Sequence, residues 1–258
     1  MGLKHYYNKL KSIIGLALSL SKANFKTRNE GSYFGILWYL LYPLSLFLII
    51  LFIKNSGLLT SKIPYYPIYL FIGLIANNFF IKTIASSIDV INSNSNLIKS
   101  IKTHYESLVL SRVFESVYSH FFEFLLLIVL LIYYQIPLGL LIFYPAVFGI
   151  FLLLTTGISF IFATIGVYIN DLKNIWMILS QIIFFITPIF YKITFNSIQH
   201  KINLFNPLYY FLDITRNLLI NQELNVIILL IFSFLGMIIF SFGLFTFIRF
   251  KHKFAGAI

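Results

Sequence analysis

The sequence predicts an all-α, polytopic membrane protein: six transmembrane helices, an N-terminal amphipathic interfacial helix before them, and both termini cytoplasmic. Three observations lead there. The chain is 59% hydrophobic and 10% charged, against about 45–50% apolar and about 25% charged residues in soluble domains, so too little polar surface remains to coat a water-soluble globule. The apolar residues arrive in six blocks near the roughly 20-residue length that crosses a bilayer as a helix. Lys and Arg concentrate in alternate connections between those blocks.

Residues 1–30 form the first unit, an interfacial helix and hinge. Leu3, Tyr6, Tyr7, Leu10, Ile13, Ile14, Ala17 and Leu18 recur at i, i+3, i+4, i+7 spacing, with Lys4, His5, Asn8, Lys9, Lys11 and Ser12 on the other side. This pattern suits a helix in the headgroup layer, its lysines attracted to anionic lipid; a helix packed on a partner protein is the alternative. Polar residues throughout, and no small-residue cleavage pattern, argue against a removable signal peptide. At "KTRNEGSYFGILWYLLYPLSL" charge gives way to apolar sequence. Gly31 and Gly35 there permit a tight change of direction, Trp38 and Tyr39 suit an interfacial anchor, and Pro43 suits a kink.

The second unit, residues 31–258, holds the spans, read as 36–53, 67–88, 109–134, 138–169, 175–191 and 226–248. Arg112, Glu115, His120 and Glu123 interrupt the third, but its clean part, 124–134, is too short to cross alone. The fourth exceeds a crossing, so it tilts, extends beyond the membrane, or bends at Pro145 or Gly149. With the N-terminus inside, Lys54, Lys62, Lys192, Lys201 and Arg216 lie outside and Lys82 lies in the second span; the other thirteen of the 19 Lys and Arg lie inside. Topology thus accounts for the net charge of +11, and no basic nucleic-acid groove is indicated.

Two connections are long. The cytoplasmic one, 91–105, is polar at first and then carries Leu97, Ile98 and Ile101 at helical spacing, which suits docking of a short helix to a soluble partner. The outer one, 192–224, is aromatic and amphipathic and predicts short helices at or dipping into the interface, with a break at Asn206 and Pro207.

Catalytic chemistry has little to stand on. There is no G-x-x-x-x-G-K-[ST] phosphate loop, no H-E-x-x-H and no G-x-S-x-G. The five histidines are scattered and Cys is 0, which excludes disulfides and thiolate metal sites. No catalytic, cofactor or metal residue is assigned. Glu115 and Glu123 are the sharpest intramembrane groups, since buried charge in a span faces the bundle interior or a wet cavity. They read either as a proton relay or polar channel patch, or as an Arg112–Glu115 pair at i, i+3 and a Glu123 bonded to a neighbouring helix.

Four stretches, "FKTRNEGSYFGILWYLLYPL", "NSNLIKSIKTHYESLVLSRV", "YINDLKNIWMILSQIIFFITPIFY" and "FNPLYYFLDITRNLL", resemble in order the permease subunit of an ABC type-2 exporter of the polysaccharide (O-antigen, capsule or teichoic acid) branch. The resemblance covers nearly the whole chain. It implies a transport subunit rather than an enzyme, acting as a homodimer with two copies of a soluble ABC ATPase that binds the ATP and Mg; this chain binds no cofactor. The substrate implied is a lipid-linked polysaccharide, moved across the bacterial cytoplasmic (inner) membrane. Asn96, Leu97, Ile98 and Lys99 match the segment that couples to the ATPase, and Asp171 matches the acid of the loop before the fifth span. Pro188 and Tyr191 match the end of that span, Asn206 and Pro207 the outer re-entrant segment, and Arg216 the basic residue after it.

A lipid headgroup and gate function would fall to Lys26, Arg28, Gly31, Ser32 and Arg216. Tyr42, Phe184, Phe185 and Tyr191 would line the path, their rings offering stacking faces to sugars; lipid contact or core packing is the alternative for each. The chain departs from the family pattern at Asn29 and Glu30, at Asn170, and at Thr103 and His104. Two other functions compete. One is a type-2 exporter of a small drug or lipid. The other is a membrane-embedded glycosyl- or phosphotransferase, for which Asp89 and Asp171 lie near an interface but form no D-x-x-D grouping.

Overall fold

A computed structural model describes residues 2–30, 35, 37–57, 63–100 and 104–257. Gly31, Ser32, Lys62, Ile101 and Thr103, named above, lie outside the described residues. Every regular element among those described is helical: α1 (Gly2–Asn29), α2 (Leu37–Asn55), α3 (Tyr66–Ile88), α4 (Val90–Ser93), α5 (Ser95–Ser100), α6 (Tyr105–Tyr133), α7 (Tyr144–Gly166), α8 (Leu172–Ile186), α9 (Ile198–Asn203), α10 (Pro207–Arg216), α11 (Val226–Phe250) and α12 (Phe254–Ala257). A 3-10 turn, Gly139–Phe143, leads into α7, and a π turn, Asn217–Asn221, prolongs α10.

Helix α3 is apolar on all sides, and such a helix belongs in an interior. Ile68, Leu70, Phe71, Ile72, Leu74 and Ile75 are all buried, because α2, α6, α7, α8 and α10 pack around it. Helix α11 docks instead along α7 through glycine. A Cβ on Gly243 would lie 2.1 Å from the Gly157 carbonyl oxygen, and one on Gly157 would lie 2.6 Å from that of Ile239. Close backbone approach of this kind is how helices associate where lipid removes the hydrophobic drive.

Four helices among the described residues are long and apolar enough to cross a membrane: Tyr66–Ile88, Tyr105–Tyr133, Gly139–Gly166 and Val226–Lys253. They answer to the second, third, fourth and sixth predicted spans. The other two form helices that are shorter. Helix α8 has 15 residues, about 22 Å at 1.5 Å per residue, and stops before the predicted end at 191. The cause is local. Thr187 precedes Pro188, takes an extended conformation (φ −68°, ψ 135°) and leaves the helix, as a residue before proline tends to. The carbonyls thereby orphaned are satisfied from the next segment: the Tyr191 hydroxyl donates to Ile186 O at 2.6 Å and Asn203 Nδ2 donates to it at 3.0 Å.

The fourth predicted span passes from a 3-10 turn into an α-helix just before its proline. Pro145 sits in the first turn of α7, after the 3-10 turn, where its missing N–H costs nothing, and Gly149 lies inside an unbroken helix. Helix α2 likewise continues through Pro43. Gly35 adopts φ +44°, a left-handed conformation open to glycine, just ahead of α2.

Helix α1 runs alongside the first half of α6 and in the same direction: the Ser107 hydroxyl donates to Ile13 O at 3.0 Å, and the Phe25 ring meets that of Tyr118 at 5.6 Å. Ile13, Ala17 and Ser21 are the buried stripe, at i, i+4, i+8, while Tyr7, Leu10, Ile14 and Leu18 stay exposed. The apolar side is therefore divided. One line of residues packs within this chain, and the rest faces outward.

Candidate functional site

Polar side chains inside the bundle gather at the two ends of α3. Lys82 and Tyr69 mark them, thirteen residues or about 20 Å apart along the helix.

At the end nearest α4 and α5, a cavity of about 460 Å³ is bounded by α1, α3, α6 and α8. Each of these helices contributes a cation, namely Arg28, Lys82, Arg112 and Lys173, and three carboxylates answer them: Asp89, Glu115 and Glu123. The pairing is uneven. Arg28 Nη1 donates to Glu115 Oε1 at 2.9 Å and Arg112 Nη1 to Glu115 Oε2 at 3.1 Å, so two guanidiniums share one carboxylate. Lys173 Nζ reaches Asp89 Oδ2 at 2.6 Å. Glu123, 1% exposed, accepts from Asn78 Nδ2 of α3 and faces His120 Nδ1 at 3.3 Å. His120 Nε2 in turn meets the Tyr144 hydroxyl at 2.8 Å, and its ring stacks on Phe148 at 4.3 Å. With three acids so engaged, Lys82 makes no close ion pair among the described residues, and its ammonium lies 4.9 Å from the Tyr42 ring, within cation–π range. Four cations against three carboxylates leave the cavity formally positive when His120 is neutral.

The residues expected at a headgroup gate divide here. Arg28 lines the cavity. Lys26 turns away from it and pairs with Glu30 at 3.5 Å on an exposed surface; Glu30 thus neutralises its neighbour. Arg216 lies at the other end of α3, apart from both. The local and neighbouring-helix pairings of Glu115 and Glu123 are those the sequence reading offered, and both acids also face a polar cavity. Lys82, Asn78 and Lys173 were not singled out by sequence, although a lysine inside a predicted span was the signal that could have found the first.

Arg216, 7% exposed, donates to the carbonyls of Pro188 (2.7 Å), Ile189 (3.0 Å) and Tyr69 (3.0 Å), and its guanidinium lies 3.4 Å from the Tyr69 ring centroid. It ties the segment after α8 and the start of α3 to α10. Burial lowers its pKa to about 10, so it stays charged at neutral pH. Burial also raises the Asp213 carboxyl above the ordinary range, with Arg216 opposing. The two residues share a second, smaller cavity with Tyr69, Tyr209 and Asn217.

Among the expected path aromatics, Tyr42 is exposed and Phe185 is 66% exposed, while Phe184 packs on the core. The Tyr191 hydroxyl is occupied in capping α8. Of the expected coupling residues, Asn96 and Lys99 are exposed on α5, whereas Leu97 and Ile98 are half-buried against Val90, Ile91, Leu108 and Val109. The apolar pair packs toward the bundle, and the polar pair faces outward. Asp171 is exposed at the start of α8.

No family model matches the chain. Curated relatives do. Two O-antigen export system permease proteins RfbA of Klebsiella pneumoniae are 28% identical over 264 residues, with 99% of this chain and 99% of each relative covered. The protein of that name in Myxococcus xanthus is 28% identical over 181 residues, covering 70% of this chain and 69% of its own. Four membrane-length helices and similarity from end to end make this chain a multi-pass membrane protein related to the permease proteins of O-antigen export systems, the branch of ABC type-2 permeases that its four motifs resemble.

Proposed function

We propose that the chain is the permease of an ABC exporter that moves a lipid-linked polysaccharide, O-antigen-like, across the bacterial cytoplasmic membrane, driven by a separate ATPase. The observation that carries this reading is the positive cavity beneath Arg28, Lys82, Arg112 and Lys173. A phosphorylated lipid headgroup is the anion such a cavity would accept, since cations from four helices converge and only part of their charge is answered. Asn78, Ser86, Ser116 and Ser119 on the same walls suit the hydroxyls of an adjoining sugar. The O-antigen relatives support the glycan.

On this reading α2 and α8, which pack on α3, complete six spans, and both termini are cytoplasmic. Six spans with α3 buried at their centre leave no polymer-wide passage among the described residues, so two copies would enclose the path. The exposed faces of α2 and α8, carrying Tyr42 and Phe185, are candidates to line it. Asn96, Lys99 and Asp171, exposed at the cavity end, are the candidates for contact with the ATPase.

Deletion of the gene in a strain with no second permease should leave the polymer on the cytoplasmic side; unchanged surface polysaccharide would overturn the proposal. Co-purification with the ATPase followed by lipid analysis should recover a phosphorylated glycolipid. Lys82→Gln should lower its retention by roughly tenfold, equivalent to about 1.4 kcal/mol.

A further inference from the structure

We propose that the small cavity at the α10 end of the molecule is a binding site for a single sugar ring. On the topology proposed above this is the outer end, where a glycan would leave, and the inference rests on that reading.

The cavity measures about 190 Å³ and lies between the start of α3, the segment after α8, and α10 with its π turn. Its wall follows from spacing. Tyr209, Asp213 and Asn217 stand four residues apart and so share one face of α10 and its continuation, while Leu208, Phe211, Ile214 and Thr215 on other faces are buried in the bundle. The π turn carries Asn221 onto the same wall. Such turns are frequent at functional sites.

The polar groups on that wall form a ladder. Asn221 Nδ2 donates to Asn217 Oδ1 at 2.8 Å, and the Asn217 side chain lies beside Asp213 and favours its charged form. Acceptors stand at both ends, an Asp213 carboxylate oxygen and Asn221 Oδ1. Arg216, itself 7% exposed, also lines the cavity, and its two terminal nitrogens are already engaged by the carbonyls of Pro188, Ile189 and Tyr69.

The chemistry narrows the ligand. A phosphate would face the Asp213 carboxylate and find the Arg216 fork occupied, with only the exposed Lys192 at the rim. An apolar ligand would strand Asp213 and Asn221 without partners. A neutral pyranose fits both conditions. Its C–H face can lie on the Tyr209 ring, and its hydroxyls donate to Asp213 and Asn221. A sugar held there would oppose backsliding of the emerging chain.

The test uses the intact permease with its ATPase in lipid nanodiscs and saturation-transfer NMR. The probes are glucose, galactose, mannose and N-acetylglucosamine, with glycerol phosphate as the headgroup control. At least one sugar should show transfer, and Tyr209→Ala and Asp213→Ala should each weaken it by roughly tenfold. Asn221→Ala, at an exposed position, gives the same test without disturbing the interior. Absence of transfer to all four sugars, transfer indifferent to all three variants, or binding of glycerol phosphate in their place would overturn the inference. The deletion strain separates this failure from that of the transport reading. If deletion abolishes surface polysaccharide while no sugar binds, only the outer site is wrong; if surface polysaccharide persists, the transport reading falls as well.

Discussion

Arg216 and Glu115 differ in how far the sequence reveals them. Arg112 and Glu115 are three apart on a helix, so their pairing is readable by counting. The bond from Arg28 to the same carboxylate joins residues 87 apart and depends on α1 running along α6. Arg216 reads in sequence as a basic residue near the outer interface, a candidate for headgroups. In the fold its two terminal nitrogens donate to three main-chain carbonyls. Replacing it with Ala would take a charged donor from each of those carbonyls, with Pro188 O left only the 3.3 Å bond from the Tyr69 hydroxyl, at a cost of about 1–3 kcal/mol. Arg216→Ala should therefore lower the thermal unfolding midpoint in detergent by many degrees, and Arg216→Lys should recover little, since an ammonium lacks the planar fork. A midpoint unchanged in both variants would show that these bonds contribute nothing.

Among elements, α7 and α11 meet through glycines that no periodicity announced. Gly243→Val should force the two helices apart and destabilise the protein by about 1–3 kcal/mol, the usual cost of overpacking. Gly149→Ala, with no neighbour within 4 Å of its new Cβ, should be neutral or slightly stabilising because alanine favours helix. Equal effects in urea or thermal unfolding would contradict the close crossing. Helix α5 predicts a different split. Asn96→Ala on its exposed side should weaken stimulation of the proposed ATPase partner and leave folding intact, whereas Leu97→Ala should loosen α5 locally, seen as faster amide exchange. The end of α8 at Thr187 was written in the sequence as Thr-Pro. An apolar window alone ran past it to 191, because hydropathy reports where a chain is greasy and not where its hydrogen bonds stop.

For the whole molecule, the proposed orientation is testable with unusual ease because the chain has no cysteine. Single cysteines at Lys99 and at Lys192 lie at the two ends of the bundle, on α5 and just after the segment pinned by Arg216. An impermeant maleimide added to intact cells, after removal of the outer barrier, should label Lys192→Cys and not Lys99→Cys; the reverse, or labelling of both, would contradict cytoplasmic termini. The same bundle places one polar cavity at each end of α3, and a transporter that passes a charged head and a neutral chain has use for two such chemistries.

By itself, the sequence determined the class, the approximate place of each helix and the stop signals, because apolar block length, helical period and proline act locally. It also carried the family resemblance, through four motifs in order. Only the tertiary structure decided which charges face one another, which side of α5 is spoken for, and which helix lies at the centre. Those outcomes depend on backbone approach between residues far apart in the chain, such as Gly157 with Gly243 or Arg28 with Glu115, and no local pattern encodes that distance.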